Sequence, residues 1–501
     1  MDKLLRIIRS FDKYKIPHID VLNNKDSTSQ HTQLYRAALE GKVKTDEEAA
    51  KFLFGPNTEK GEQKYRNFKT DFKKRLLNTM LFIDPTHEDF DKYQQMLYEV
   101  HREWMTIKAI YANGMSDLAN PLAEQLLKIV MKHDYTEIAV PLISAIKFAI
   151  AMTGDKKRYA EYQQLHNHTI EVWLWEQRAK EYADILRMEY IKTAEYKPFM
   201  SNSAKKYFEE LKPAMDKYDA VGLHSYGRSV EIYIYSTVND YENVLDVAER
   251  ALAFFKAKPF EVRGIISMFK HQKMIALMSL KRYAEAEKVM EETIALREKG
   301  SFNWFVAEES KMFLLFKMHR FTEGYALYKR ITKMVEFKEL REGMNKEIWF
   351  LFNAYFHLLQ HLGKIPFSAF GEAAKTFKIG KFLNEVPNLC KDKEGMHIAV
   401  LSVKMCFLIA TRQDKDKDLE SIKKYFDRHI PKGDPYYRFH QFGHLLLKLS
   451  DSNFNRALTK QNTVELRENL QSVPFDPVAS AYRGEAVNLE EIWDWLLETL
   501  D

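Results

Sequence analysis

The 501-residue sequence is poor in backbone breakers, with 18 Gly and 14 Pro, where average usage gives about 35 and about 25. That shortage argues against a fold of many short strands and tight turns and favours long uninterrupted helices. Two cysteines, Cys390 and Cys406, are too few for a disulfide framework. They are expected as free thiols in a reducing compartment. The longest apolar stretch, 398–410, is interrupted by Ser402 and Lys404, so no membrane span is expected. Residues 1–10 carry Asp2, Lys3, Arg6 and Arg9 and no cleavable apolar core. No secretory signal is expected, and a cytoplasmic location is the default. The net charge of +5 is small for this length and implies no global attraction to nucleic acid.

What the chain does have is apolar surface. It is 46% hydrophobic and 13% aromatic, enough to exclude disorder. Three regions are expected: a small helical domain over 1–90, a helical array over 91–460, and a capping segment over 461–501. In the first, a helix from about Gln30 to Glu40 stops at Gly41. The next opens with Thr45-Asp46-Glu47-Glu48, a capping box, and ends at Gly55-Pro56. A third runs from about Gly61 to Phe82, with Tyr65, Phe68, Phe72, Leu76 and Met80 forming one apolar stripe. Asp84-Pro85 is expected to end it.

From about residue 90 onward, helix follows helix. The joints are expected at Asn113-Gly114, Gly154-Asp155, Lys197-Pro198, Asn239-Asp240, Lys281-Arg282, His319-Arg320, Gly363-Lys364 and 412–418. One pattern recurs at Tyr241, Tyr283 and Phe321, spaced 42 and 38 residues apart. A polar turn precedes each aromatic, and a small or β-branched residue (Val244, Ala286, Gly324) lies three positions on. A fixed period of this size signals stacked helical pairs. Leu280, the turn and Tyr283-Ala284-Glu285-Ala286, followed by Met290, resemble the turn and second helix of a tetratricopeptide repeat. Met318, the turn, Phe321-Thr322-Glu323-Gly324 and Tyr328 resemble the next copy. The likeness is best over 230–335, although the period exceeds that family's 34 and Lys281 and His319 stand where a turn glycine is usual. The resemblance implies an all-α α-solenoid of antiparallel hairpins, with an aromatic docked on the preceding helix and a small residue at the helix crossing.

Catalytic templates are missing. The sequence has no phosphate-binding loop, nucleophile elbow or kinase motif set. His357/His361 and His440/His444 have i, i+4 spacing, but the glutamate of a hydrolytic zinc helix is absent. No enzyme activity, metal or cofactor is expected. The adjacent pairs Glu308/Glu309 and Glu490/Glu491 read as solvated charges. Two binding surfaces remain. If the repeat alignment holds, the first helices of successive hairpins line a concave groove, and Tyr226, Ser229, Tyr233, His271 and Glu309 face a protein or peptide partner. Ile275, Met278, Phe313 and Phe316 share that stripe, and Ile275, Phe313 and Phe316 read more naturally as core. The other surface is the basic stretch 60–75, where Lys64, Arg66, Lys69, Lys73 and Lys74 follow a capped short helix. This segment resembles a helix-turn-helix in outline, which implies contact with duplex DNA, with Gln63, Asn67 and Thr70 near base edges.

Overall fold

The computed structural model describes residues 1, 4–5, 7–8, 29–55, 58–80, 92–192, 197–339, 346–369, 396–410, 424, 437–472 and 484–500. Cys390, Asp84-Pro85 and the joint at 412–418 lie outside them. Among the described residues there are twenty-one α-helices and no strand, so the all-α expectation holds. The chain divides into two compact units, Met1–Ile170 and Glu171–Asp501.

The first unit contains α1 (Gln30–Leu39), α2 (Asp46–Phe54), α3 (Thr58–Thr79), α4 (Lys92–Ala112), α5 (Ser116–Lys132), α6 (Thr136–Thr153) and the first part of α7 (Lys156–Lys192). Its start follows the local signals. Ser29 caps α1, and Gly41 beyond it takes a φ of 72°. Thr45 accepts from the Glu48 amide while the Glu48 carboxylate accepts from the Thr45 amide, which is the capping box in full. Tyr65, Phe72 and Leu76 are buried against α1 and α2, with Phe68 and Met80 packed on the same cluster. A separate core, including Leu126, Ile138, Leu142 and Ile146, joins α4, α5 and α6. Helix α6 is long and apolar enough to cross a membrane by length and composition, yet Phe148 and Met152 on it are solvent-exposed.

The second unit continues with α8 (Lys197–Lys217), α9 (Val221–Ser236), α10 (Tyr241–Lys256), α11 (Arg263–Ser279), α12 (Tyr283–Ala295), α13 (Phe302–Lys317), α14 (Phe321–Lys333), α15 (Val335–Glu339) and α16 (Lys346–His361). It closes with α17 (Met396–Ala410), α18 (Tyr437–Asp451), α19 (Arg456–Asn462), α20 (Val464–Ser472) and α21 (Leu489–Glu498). From α8 to α15 each helix packs against the next in sequence. The turns inside the pairs α9/α10, α11/α12 and α13/α14 are built alike. Asn239, Lys281 and His319 have φ of 60°, 59° and 56°. The amide after each bonds back five residues, Asp240 to Tyr235, Arg282 to Leu277 and Arg320 to Leu315. This is the bond pattern of a left-handed helix terminus, here made without glycine. Gly114, Gly154 and Gly363 take the same sign of φ at their joints, and so does Asp134, a turn with no glycine or proline to mark it.

Aromatic packing holds the pairs together. Phe321 meets Phe316 of the preceding helix at 6.0 Å between centroids, and Phe316 stacks on Phe352 and Phe356 of α16 at 5.6 and 4.9 Å. Burying each such ring stabilises by roughly 1.5–3 kcal/mol, whereas an exposed ion pair contributes about 0–1 kcal/mol. Gly324 lies under this cluster. A Cβ there would sit 3.2 Å from the Phe356 ring and 3.5 Å from Met312 sulfur, so a larger residue requires the Phe356 ring to give way.

Candidate functional site

Helices α9, α11 and α13 differ from α10, α12 and α14 in their access to solvent. Throughout α9, from Ile265 on in α11 and from Trp304 on in α13, no residue is fully exposed. Every turn of α10 keeps exposed positions, among them Glu242, Asp246 and Arg250, and α12 does the same through Glu285 and Glu292. Tyr226, Ser229, Tyr233, His271 and Glu309 all lie on the shielded helices, and all keep partial access. Met278, Phe313 and Phe316 are core, while Ile275 is half-buried.

Each of the five has a distinct setting. Tyr226 and Tyr233 pack on the cluster of Val172, Leu186, Leu211 and Leu223, and Tyr233 lies 5.8 Å from the Tyr190 ring. Ser229 donates to the Ser225 carbonyl at 2.8 Å. Burial, with the Arg297 charge adding to it, pushes the His271 imidazole down to about 3. His271 Nδ1 is buried and makes no hydrogen bond. Burial pushes the Glu309 carboxyl up to about 8, against a pull from the Trp349 indole. Trp349 Nε1 has no hydrogen bond of good geometry, so that pull is a weak one. At neutral pH, His271 is uncharged and Glu309 holds its proton. Both residues keep some access to solvent while the protein crowds around them.

The glutamate pairs require a correction. Glu308 is buried and accepts from Arg330 at 3.0 Å, Glu490 takes Arg438 at 2.7 Å, and Glu491 meets His319 at 3.2 Å. They are partnered rather than solvated, because adjacency in sequence says which way two side chains diverge and not how deeply their helix lies.

On α3 the basic residues divide. Lys64, Arg66, Lys73 and Lys74 are exposed and form no ion pair among the described residues, and Gln63, Asn67 and Thr70 are exposed with them. Lys69 is different: its Nζ lies 2.8 Å from Asp46, which also accepts from Tyr65 at 2.8 Å and from the Met1 amine at 3.0 Å. It ties α3 to α2. Helix α2 ends at Phe54 and α3 begins at Thr58, a shorter connection than the seven residues from Gly55 to Gly61 that the sequence marks as a turn. The histidines with helical spacing are also placed. His440 and His444 meet at 3.2 Å, whereas His357 is buried and His361 exposed. Cys406 is a buried free thiol.

Comparison with protein-family models, with curated proteins and with solved structures finds no match for this chain.

Proposed function

We propose that this protein is a non-catalytic helical-repeat adaptor, TPR-like in plan, that holds a protein or peptide segment along α9, α11 and α13. The observation that carries this reading is the combination of shielding and residual access at Tyr226, Ser229, Tyr233, His271 and Glu309. Residual access along an otherwise enclosed row of helices supports a ligand there, and a preformed face lowers the ordering cost of association. Neutral His271 and protonated Glu309 suit such a face, since covering an uncharged polar group costs far less than covering an ion. The test is a photoreactive amino acid placed at Tyr226, at Tyr233 and at outer-row Glu242. Crosslinks to one partner from the two tyrosine positions, and none from Glu242, are expected. Equal labelling from all three positions removes the reading.

A second reading, a regulator that binds duplex DNA through α3, rests on a separate observation. Arg66, Lys73 and Lys74 stand exposed with no carboxylate partner among the described residues, beside side chains able to hydrogen-bond base edges. The short α2–α3 connection adds to the helix-turn-helix likeness. Binding of this kind weakens steeply as salt rises; a flat salt response excludes it.

A further inference from the structure

Arg263, Ser267 and His271 follow one another at steps of four along α11 and share one side of it. Arg297, just beyond α12, reaches back to that side. Its Nε donates to Ser267 Oγ at 2.9 Å and its Nη1 to the Asn303 carbonyl at 2.6 Å. Arg263 Nη2 donates to the Ala295 carbonyl at 3.0 Å, two residues before Arg297. Neutral acceptors thus anchor two guanidinium groups on one patch.

No carboxylate completes it. Among the described residues neither Arg263 nor Arg297 forms an ion pair, whereas Arg178, Arg228, Arg250, Arg282, Arg320 and Arg330 of the same unit each hold one. Burial lowers the affinity of Arg297 for its proton. His271 adds a further donor. A proton on its buried Nδ1 would have no acceptor, so the neutral ring carries its proton on Nε2. Arg263 Nε is buried and unbonded as well. The first turn of α11 has no acidic residue and no side-chain cap, which leaves the positive end of the helix uncompensated. Apart from the His271 Nδ1 lone pair, the unfilled positions in this cluster are donors, and its charge is positive.

We propose that Arg263, Ser267, His271 and Arg297 form an oxyanion-binding site that takes a carboxylate or phosphate group. Such a ligand supplies both the acceptors that the donors lack and the counter-charge that Arg297 lacks, and hydrogen bonds between charged partners are the strong ones. The inference does not rest on the adaptor reading, because a small anion can fill the site with no protein partner present.

The test uses the full-length protein with isotope-labelled histidine, followed by NMR. The His271 ring signal is the one missing from His271→Gln. Sodium phosphate and, separately, sodium acetate are added at constant ionic strength held with sodium chloride. A saturable shift of the His271 signal is expected, with binding weakened about tenfold or more in Arg297→Gln. Arg263→Gln repeats the comparison should the first variant not fold. A response to phosphate alone assigns the site to phosphate groups, and a response to acetate, alone or with phosphate, assigns it to carboxylates. No saturable shift with either anion, or a shift unchanged in both arginine variants, overturns the proposal.

Discussion

Arg438 and Glu485 form an ion pair at 2.8 Å with their side chains only 5% and 3% exposed. Arg438 also donates to the Leu470 carbonyl at 3.0 Å and to Glu490 at 2.7 Å, so the guanidinium is well provided with acceptors. Tyr355 of α16 donates to the Gly484 carbonyl at 2.9 Å, and Lys317 of α13 donates to Asn488. These bonds fix the segment before α21 onto helices more than a hundred residues earlier. Because breaking a buried pair strands the remaining charge, Arg438→Met should cost about 3–5 kcal/mol. The double variant Arg438→Met/Glu485→Leu should recover much of that loss. Urea unfolding of the three proteins measures both numbers, and a single-variant cost below about 1 kcal/mol would show that the pair carries little.

Two buried groups give the stability opposite pH dependences over overlapping windows. Glu309 titrates near 8 in the fold and near 4.3 when unfolded. The folded protein keeps that proton where the unfolded chain releases it, so stability falls as pH rises from about 4.3 to 8. His271 acts the other way. The unfolded chain takes up a proton below about 6.5, which the fold resists down to about 3, so stability falls as pH drops through that window. Glu309→Gln should remove the decline from about pH 4.3 to 8 and raise stability at pH 8 by about 1–4 kcal/mol. His271→Gln should flatten the acid side. Urea midpoints at pH 5, 6.5 and 8 test this, and profiles parallel to the parent would contradict it.

The turns were legible in the sequence wherever local chemistry forces them. The Thr45 capping box needs only four consecutive residues, and the joints at Gly114, Gly154 and Gly363 follow from the backbone freedom of glycine. Asn239, Lys281 and His319 were found through the aromatic that follows each, a packing signal rather than a turn signal. The turn at Asp134 lacks a glycine and was missed, although the buried aromatic Tyr135 follows it directly. The site was less legible, for reasons of distance. Lys69 resembles its neighbours in sequence, and the carboxylate that claims it is Asp46, 23 residues away. Arg297 stands beside Glu298 and reads as a solvated charge, while its actual acceptors are Ser267 and the Asn303 carbonyl. The accessibility of Tyr226 or Glu309 depends on neighbouring helices that a helical period does not position.

Lys281 offers a direct test of the turn geometry. It is exposed, and its φ is 59°. A left-handed residue with a Cβ costs roughly 1–2 kcal/mol, and glycine gives back about 0.5–1 kcal/mol through the freer unfolded chain. The first effect is larger, so Lys281→Gly should stabilise by about 0.5 kcal/mol. Lys281→Val should destabilise, since β-branched residues tolerate this conformation worst. Thermal unfolding of both variants distinguishes them; a stabilising valine would mean that the turn adopts another backbone conformation.

Charge reversal on α3 should separate the structural cation from the exposed ones. Burial raises the Asp46 carboxyl, but bonds from Lys69, the Met1 amine and Tyr65 outweigh it and hold the group down to about 2. Lys69→Glu sets a second carboxylate beside Asp46 and removes its donor, and should cost roughly 1–3 kcal/mol. Lys73→Glu and Arg66→Glu alter exposed side chains that form no ion pair among the described residues and should stay within about 0.5 kcal/mol of the parent. Any loss of DNA binding in Lys69→Glu is therefore confounded with unfolding, whereas in Arg66→Glu/Lys73→Glu it is not. If α3 lies on the phosphate backbone, each lost contact lowers the salt slope of binding by about 1. The double variant with unchanged slope and affinity would assign the exposed lysines and arginine of α3 to solvent alone.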